Sequence, residues 1–78
     1  MTTVAVLGAT GSIGSQTADV VRAEPDRFEI TALAAWSSID RLIAQAQEFR
    51  PDAVAIGESG LAGRLKAEVP AGTEVLVG

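Results

Sequence analysis

Apolar positions in this chain fall alternately into short continuous runs and into stripes with helical spacing. Val4–Leu7 is a continuous apolar run and reads as a strand. Ile13, Thr17, Val20 and Val21 recur at i, i+4, i+7 and i+8, one face of a helix that ends near Glu24-Pro25. Phe28–Ala35 reads as a second strand, with poor alternation because nearly every residue is small or apolar. Ile39, Leu42, Ile43, Ala46 and Phe49 mark a second helix, closed by Pro51 after Arg50. Asp52–Gly57 reads as a third strand, Leu61, Leu65 and Val69 as a third helix stopped at Pro70, and Thr73–Val77 as a fourth strand.

This βαβαβαβ alternation with apolar strands predicts an α/β fold, a parallel Rossmann-like sheet with right-handed crossovers. Parallel strands read as unbroken apolar runs when helices cover both sheet faces. Only three helices are on offer. If the strands step outward in order, all three land on one face and the other lies bare, an apolar patch that isolated proteins seldom tolerate. The pattern therefore describes an incomplete half of a doubly wound dinucleotide-binding domain. The expectation is a fragment, or a chain that dimerises, or one poorly stable alone.

Between the first strand and the first helix stand three glycines spaced three apart, Gly8, Gly11 and Gly14. Gly8 lets the chain leave the strand with a backbone angle unfavourable to other residues. Gly11 leaves room for a pyrophosphate to approach, and Gly14 lets the helix pack closely on the strand. The spacing is one residue longer at the front than the common G-x-G-x-x-G turn. It is not a Walker A loop, because Ser15 stands where the lysine would be. No Lys or Arg lies between Gly8 and Ser15, so a phosphate here is held by the amides and partial positive charge of the helix N-terminus.

Composition narrows the chemistry. The 78 residues hold no Cys and no His, so no thiolate nucleophile, disulfide, or Ser-His or Cys-His triad can be assembled from them. The carboxylates of Asp19, Glu24, Asp26, Asp40, Glu48, Asp52, Glu58 and Glu68 fall on helix faces or element ends and read as surface charge. A net charge of −4 argues against a nucleic-acid partner. No apolar run is long enough to span a membrane, and no basic leader precedes the first strand, so a cytoplasmic location is expected. These residues can grip a cofactor, but they offer no catalytic residue and no metal ligand set.

The second strand of a dinucleotide fold ends at the adenosine ribose, about 20 residues past the glycines, where an NAD site places Asp or Glu. That window here reads Ala34-Ala35-Trp36-Ser37-Ser38-Ile39-Asp40-Arg41, with no acid at the strand tip. Hydroxyls, helix N-terminal amides and Arg41 favour a 2′-phosphate, so NADP is preferred over NAD. Ser37 is expected to be the N-cap of the second helix, with Asp40 completing an approximate capping box. Arg41 is either a phosphate partner or a plain surface cation. Trp36 either stacks on adenine or packs against the helix. Phe28 and Phe49 are expected in the core.

The run Gly8-Ala9-Thr10-Gly11-Ser12-Ile13-Gly14, followed by Thr17, Asp19-Val20-Val21-Arg22, Pro25, Phe28 and Ala32-Leu33, resembles the start of the 1-deoxy-D-xylulose-5-phosphate reductoisomerases. Phe49-Arg50-Pro51 and Thr73-Glu74-Val75-Leu76 continue the likeness more weakly. The resemblance implies that residues 1–78 are the N-terminal part of an NADPH-binding Rossmann-like domain. It implies contact of Thr10, Gly11, Ser12 and Ile13 with the NADPH pyrophosphate and adjoining groups. The family's second contact segment falls on Trp36, Ser37 and Ser38, where a bulky Trp and an uncharged Ser depart from the usual small and basic residues. The resemblance further implies an oxidoreductase of non-mevalonate isoprenoid biosynthesis that converts 1-deoxy-D-xylulose 5-phosphate to 2-C-methyl-D-erythritol 4-phosphate. Its phosphorylated sugar substrate, its divalent metal (Mg or Mn) and its homodimer would involve later parts of the family's chain, and the 78 residues alone would be inactive. Three other readings stand beside it: the N-terminus of a semialdehyde-dehydrogenase-like enzyme, a nucleotide-binding module, and an excised folding unit.

Overall fold

The computed structural model describes residues 2–8 and 11–77, with residues 12 and 13 described by backbone alone. Strands β1 (Thr2–Leu7), β2 (Phe28–Ala35), β3 (Ala53–Ile56) and β4 (Glu74–Val77) alternate with helices α1 (Ser12–Ala23), α2 (Ile39–Phe49) and α3 (Ala62–Glu68). A 3-10 turn, Ser59–Leu61, leads into α3. The strands pair in parallel in the order β1-β2-β3-β4. Each connection thus returns to the neighbouring strand in one direction across the sheet, which brings the helices onto one face. Val21 of α1, Leu42 and Ala46 of α2 and Leu65 of α3 meet Val6, Leu33, Val54 and Ile56 in a single cluster. The shortest dimension, 17 Å, is that of one sheet with one helical layer.

The opposite face is open, as the pattern led one to expect for strands stepping outward. Register sets Ala5, Ala32 and Ala53 in one row and Leu7, Ala34, Ala55 and Leu76 in the next. Leu7 is 85% exposed and Leu76 46%. Small side chains dominate these rows between Leu7 and Leu76, so the uncovered surface is apolar and holds a hollow of about 130 Å³ over the alanines.

Several local features differ from the pattern, each for an identifiable reason. The weak alternation of β2 has a cause beyond small residues: pairing passes from Val4–Ile30 to Ala5–Ala32, so Thr31 is an extra residue in a bulge. The buried positions accordingly run Ile30, Leu33, Ala35, with a spacing of three before the spacing of two returns. On α1 the buried stripe is Gly14, Ala18 and Val21, while Val20 is 51% exposed, so Val20 is not part of the core face. Phe28 and Phe49 sit at the rim rather than in the core, each partly buried. The guanidinium of Arg27 lies 5.3 Å from the Phe28 ring and that of Arg22 lies 5.3 Å from the Phe49 ring.

Arg22 also joins α1 to α2. It donates to both carboxylate oxygens of Glu48, with Nη2–Oε1 at 2.7 Å, and to Asp19 at 2.7 Å. The hydrogen bond from Arg22, against a smaller opposing desolvation, holds the Glu48 carboxyl below its ordinary value. Helix α2 ends with Arg50 in the left-handed region (φ 49°), directly before Pro51, which cannot continue a helix. Val69 is extended ahead of Pro70 and ends α3 in the way a residue before proline favours.

Candidate functional site

The C-terminal ends of β1, β2 and β3 gather the candidate residues at one edge of the sheet. After β1 the chain turns at Gly8, whose φ of +68° is left-handed and strongly favours glycine. The Gly11 N–H closes the turn on the Gly8 carbonyl at 2.9 Å. Gly11 is the N-cap of α1, exposed, with no side-chain cap and no acid in the first helical turn. The partial positive charge at the N-terminus of this twelve-residue helix is therefore not offset by an acid of its own first turn. Gly14 is buried, as close packing of the helix requires.

Gly11 differs from Gly8 in kind. Its φ of −79° and ψ of 175° are open to any residue. A Cβ placed on it would meet the Gly8 carbonyl oxygen at 3.4 Å, an ordinary contact. Neither backbone conformation nor packing among the described residues calls for glycine here. An absent side chain at this point leaves the helix amides open to a group from outside the chain. Of the other residues expected at the pyrophosphate, Ser12 and Ile13 form the first turn of α1, and Thr10 lies outside the described residues.

Trp36, Ser37 and Ser38 follow directly on β2. The expected cap of α2 is displaced by one residue. The Ile39 N–H donates to the Ser37 carbonyl at 2.8 Å, and Ser38 at φ −78°, ψ 70° forms the centre of an inverse γ-turn. Ser38 is thus the N-cap, without a side-chain cap hydrogen bond, and the capping box with Ser37 does not form. Asp40 instead accepts a hydrogen bond from Arg64 of α3. Ser37, Ser38 and Arg41 line one shallow cleft of about 290 Å³. No acid stands at the tip of β2, and the Asp40 on the cleft wall is already ion-paired.

Trp36 is found at the mouth of the strand ends. Its ring lies over Gly57, the residue after β3, and it is 71% exposed. Trp36, Gly57 and Gly8 border a second cleft of about 270 Å³ across the strand ends. No motif in the sequence singles out Gly57. Its one legible signal is its place just after an apolar strand, the same place Gly8 holds after β1. A larger cavity, about 370 Å³ among Val21, Pro25, Phe28 and Phe49, lies at the opposite end of the sheet, where β2 begins. It is mostly apolar, and its one cation, Arg22, is already ion-paired. Among the described residues no group of His, Cys, Asp or Glu is placed to hold a metal ion, and no helix is long and apolar enough to cross a membrane.

Comparison with known proteins agrees with this arrangement. The family model described as 1-deoxy-D-xylulose 5-phosphate reductoisomerase matches residues 4–78. The reductoisomerase of Anaeromyxobacter sp. (strain K) is 50% identical over 78 residues, all of this chain and 20% of the relative. That of Thermomicrobium roseum is 57% identical over 58 residues, 74% of this chain and 15% of the relative. In structure, the Zymomonas mobilis reductoisomerase in complex with NADPH superposes with a TM-score of 0.91 at 33% identity, covering 99% of this chain and 21% of that one. A reductoisomerase in complex with NADPH, fosmidomycin and magnesium gives 0.88 at 35% identity, covering 100% and 20%. The chain thus spans about a fifth of the length of these relatives. Residue pattern, parallel strand order and these matches together show that the chain belongs to the 1-deoxy-D-xylulose 5-phosphate reductoisomerase family.

Proposed function

We propose that residues 1–78 are the N-terminal part of an NADPH-binding domain, serving an enzyme that rearranges and reduces 1-deoxy-D-xylulose 5-phosphate to 2-C-methyl-D-erythritol 4-phosphate. The observation that carries this reading is Gly11, a glycine that nothing among the described residues requires, at a helix N-terminus without a side-chain cap. The amides of the first turn of α1, in Ser12 and Ile13, would hold the pyrophosphate, with Gly11, whose own N–H bonds the Gly8 carbonyl, giving it room to approach and Thr10 beside them. Trp36 would lie along the adenosine. Ser37, Ser38 and Arg41, around their common cleft, would take the ribose 2′-phosphate, which a carboxylate at the strand tip would repel. When bound, NADPH supplies the hydride of the reduction.

The divalent metal and the sugar-phosphate site belong, on this proposal, to the remaining four-fifths of the relatives' length. The solved relative that holds magnesium and fosmidomycin together with NADPH supports a metal and a small-molecule site for the whole enzyme. Assembly as a homodimer and a cytoplasmic location are part of the same proposal. Calorimetric titration with NADPH and with NADH tests the cofactor choice. NADPH is expected to bind at least tenfold more tightly, on the order of 1.4 kcal/mol. Equal weak binding of both would refute the roles given to Ser37, Ser38 and Arg41.

A further inference from the structure

The seat of Trp36 is unusually restrictive. A Cβ built on Gly57 would stand 2.0 Å from Trp36 Cε3 and 2.6 Å from Cδ2 and Cζ3, so the benzo half of the indole lies directly over the glycine. Any side chain at position 57 would push the ring away. The backbones on either side are held in register: the Gly57 N–H donates to the Ala35 carbonyl at 3.0 Å, and the Glu58 N–H donates to the Trp36 carbonyl at 3.0 Å. The chain thus carries a large aromatic ring and, just past the end of the next strand, the one residue type that lets it lie flat. Burial does not account for the pairing, because the ring remains 71% exposed. An exposed aromatic face beside a cleft is suited to a planar ligand ring.

We infer that Gly57 is a positioning residue that sets the Trp36 indole as a platform for the adenine ring of the bound dinucleotide. The inference rests on the NADPH reading above and adds a residue to it. Trp36, Gly57 and Gly8 share one cleft, so a dinucleotide whose pyrophosphate sits at the N-terminus of α1 reaches the ring with its adenosine end. Stacking against an aromatic face supplies adenine affinity without hydrogen-bond readout. The ring is a side chain at the surface, free to swing aside, so a methyl group at position 57 should cost little stability while displacing the platform.

Trp36 is the only Trp of the chain and reports on itself. Calorimetric titration with NADPH of the wild type, Trp36→Ala, Trp36→Phe, Gly57→Ala and the double variant Trp36→Ala/Gly57→Ala tests the inference. Trp36 fluorescence during titration with 2′,5′-ADP accompanies it. Loss of a base stack predicts about 5- to 150-fold weaker binding for Trp36→Ala, with most of the affinity kept by Trp36→Phe. Gly57→Ala should weaken binding in the wild-type background and by less than about twofold when Trp36 is already gone. Urea midpoints should stay together across the series, and 2′,5′-ADP should quench the indole. NADPH binding by Trp36→Ala at wild-type strength would overturn the platform, as would an equal cost of Gly57→Ala in both backgrounds. A wild type that binds no NADPH would overturn the cofactor reading itself, and this inference with it.

Discussion

Two glycines three residues apart should respond to the same substitution in opposite ways. At Gly8 the backbone is left-handed (φ +68°), and a Cβ would touch nothing among the described residues within 4 Å, so Gly8→Ala is a backbone perturbation. A left-handed alanine costs about 1–2 kcal/mol, partly offset by the smaller unfolded-state entropy of Ala, leaving a net loss of about 1 kcal/mol. With a urea slope of about 1 kcal/mol/M for a chain this small, the unfolding midpoint should fall by about 1 M. Gly8→Asn, which tolerates the same region, should lose roughly half as much. At Gly11 the extended backbone accepts Ala, and the nearest contact for its Cβ is at 3.4 Å. The gain in unfolded-state rigidity opposes the poorer N-cap quality of Ala, so stability should stay within about 0.5 kcal/mol of the wild type. On the proposed reading, the new methyl group nevertheless stands where the pyrophosphate meets the helix amides. Losing even one such charge-assisted hydrogen bond is worth about 1.5–3 kcal/mol, so NADPH should bind at least tenfold more weakly. Urea denaturation followed by far-UV circular dichroism, paired with calorimetric titration, separates the two effects. If Gly11→Ala lost stability as Gly8→Ala does, or kept wild-type NADPH affinity, the assignment of a ligand role to Gly11 would fail.

Two further outcomes are expected. Leu42 is fully buried at the centre of the cluster, so Leu42→Ala should cost about 3 kcal/mol. For 78 residues, with a total of roughly 4–12 kcal/mol, that brings the variant near its folding threshold. A urea midpoint unchanged from the wild type would mean that α2 does not pack as described. Glu48, held by Arg22 below its ordinary value near 4.5, contributes stability that is fully present above that value and is lost as pH falls through its lowered folded-state value. Glu48→Gln should therefore flatten the fall in urea midpoint on acidification, most visibly below about pH 5. An unchanged acid slope would show that the α1–α2 ion pair carries no pH-dependent stability.

Much of this architecture was readable from residue order, because each signal is local. Gly8 opens backbone angles unfavourable to other residues and Pro51 fixes its own, wherever they stand, and the stripe at Leu42, Ile43 and Ala46 is a property of a single helix. The glycine turn and the acid-free strand tip were legible for the same reason. Features that depend on two distant segments were not. The bulge at Thr31 exists only relative to β1, since an extra residue has meaning only against a partner strand. Val20 satisfies the helical spacing as well as Val21 does, but the sheet meets α1 along Gly14, Ala18 and Val21. Ser37 is as good a capping residue as Ser38, and the γ-turn that chose between them comes from the way the chain leaves β2.

The residues of this chain determined by themselves a parallel α/β half-domain and a lysine-free glycine turn at a helix N-terminus, because periodicity and backbone preference act within a few neighbours. The tertiary structure decided that the strands run in simple order with one face bare, and that the exposed Trp36 rests on a glycine 21 positions further along the chain. Side-by-side pairing of β2 with β3 is what creates that contact. No spacing within either strand encodes it.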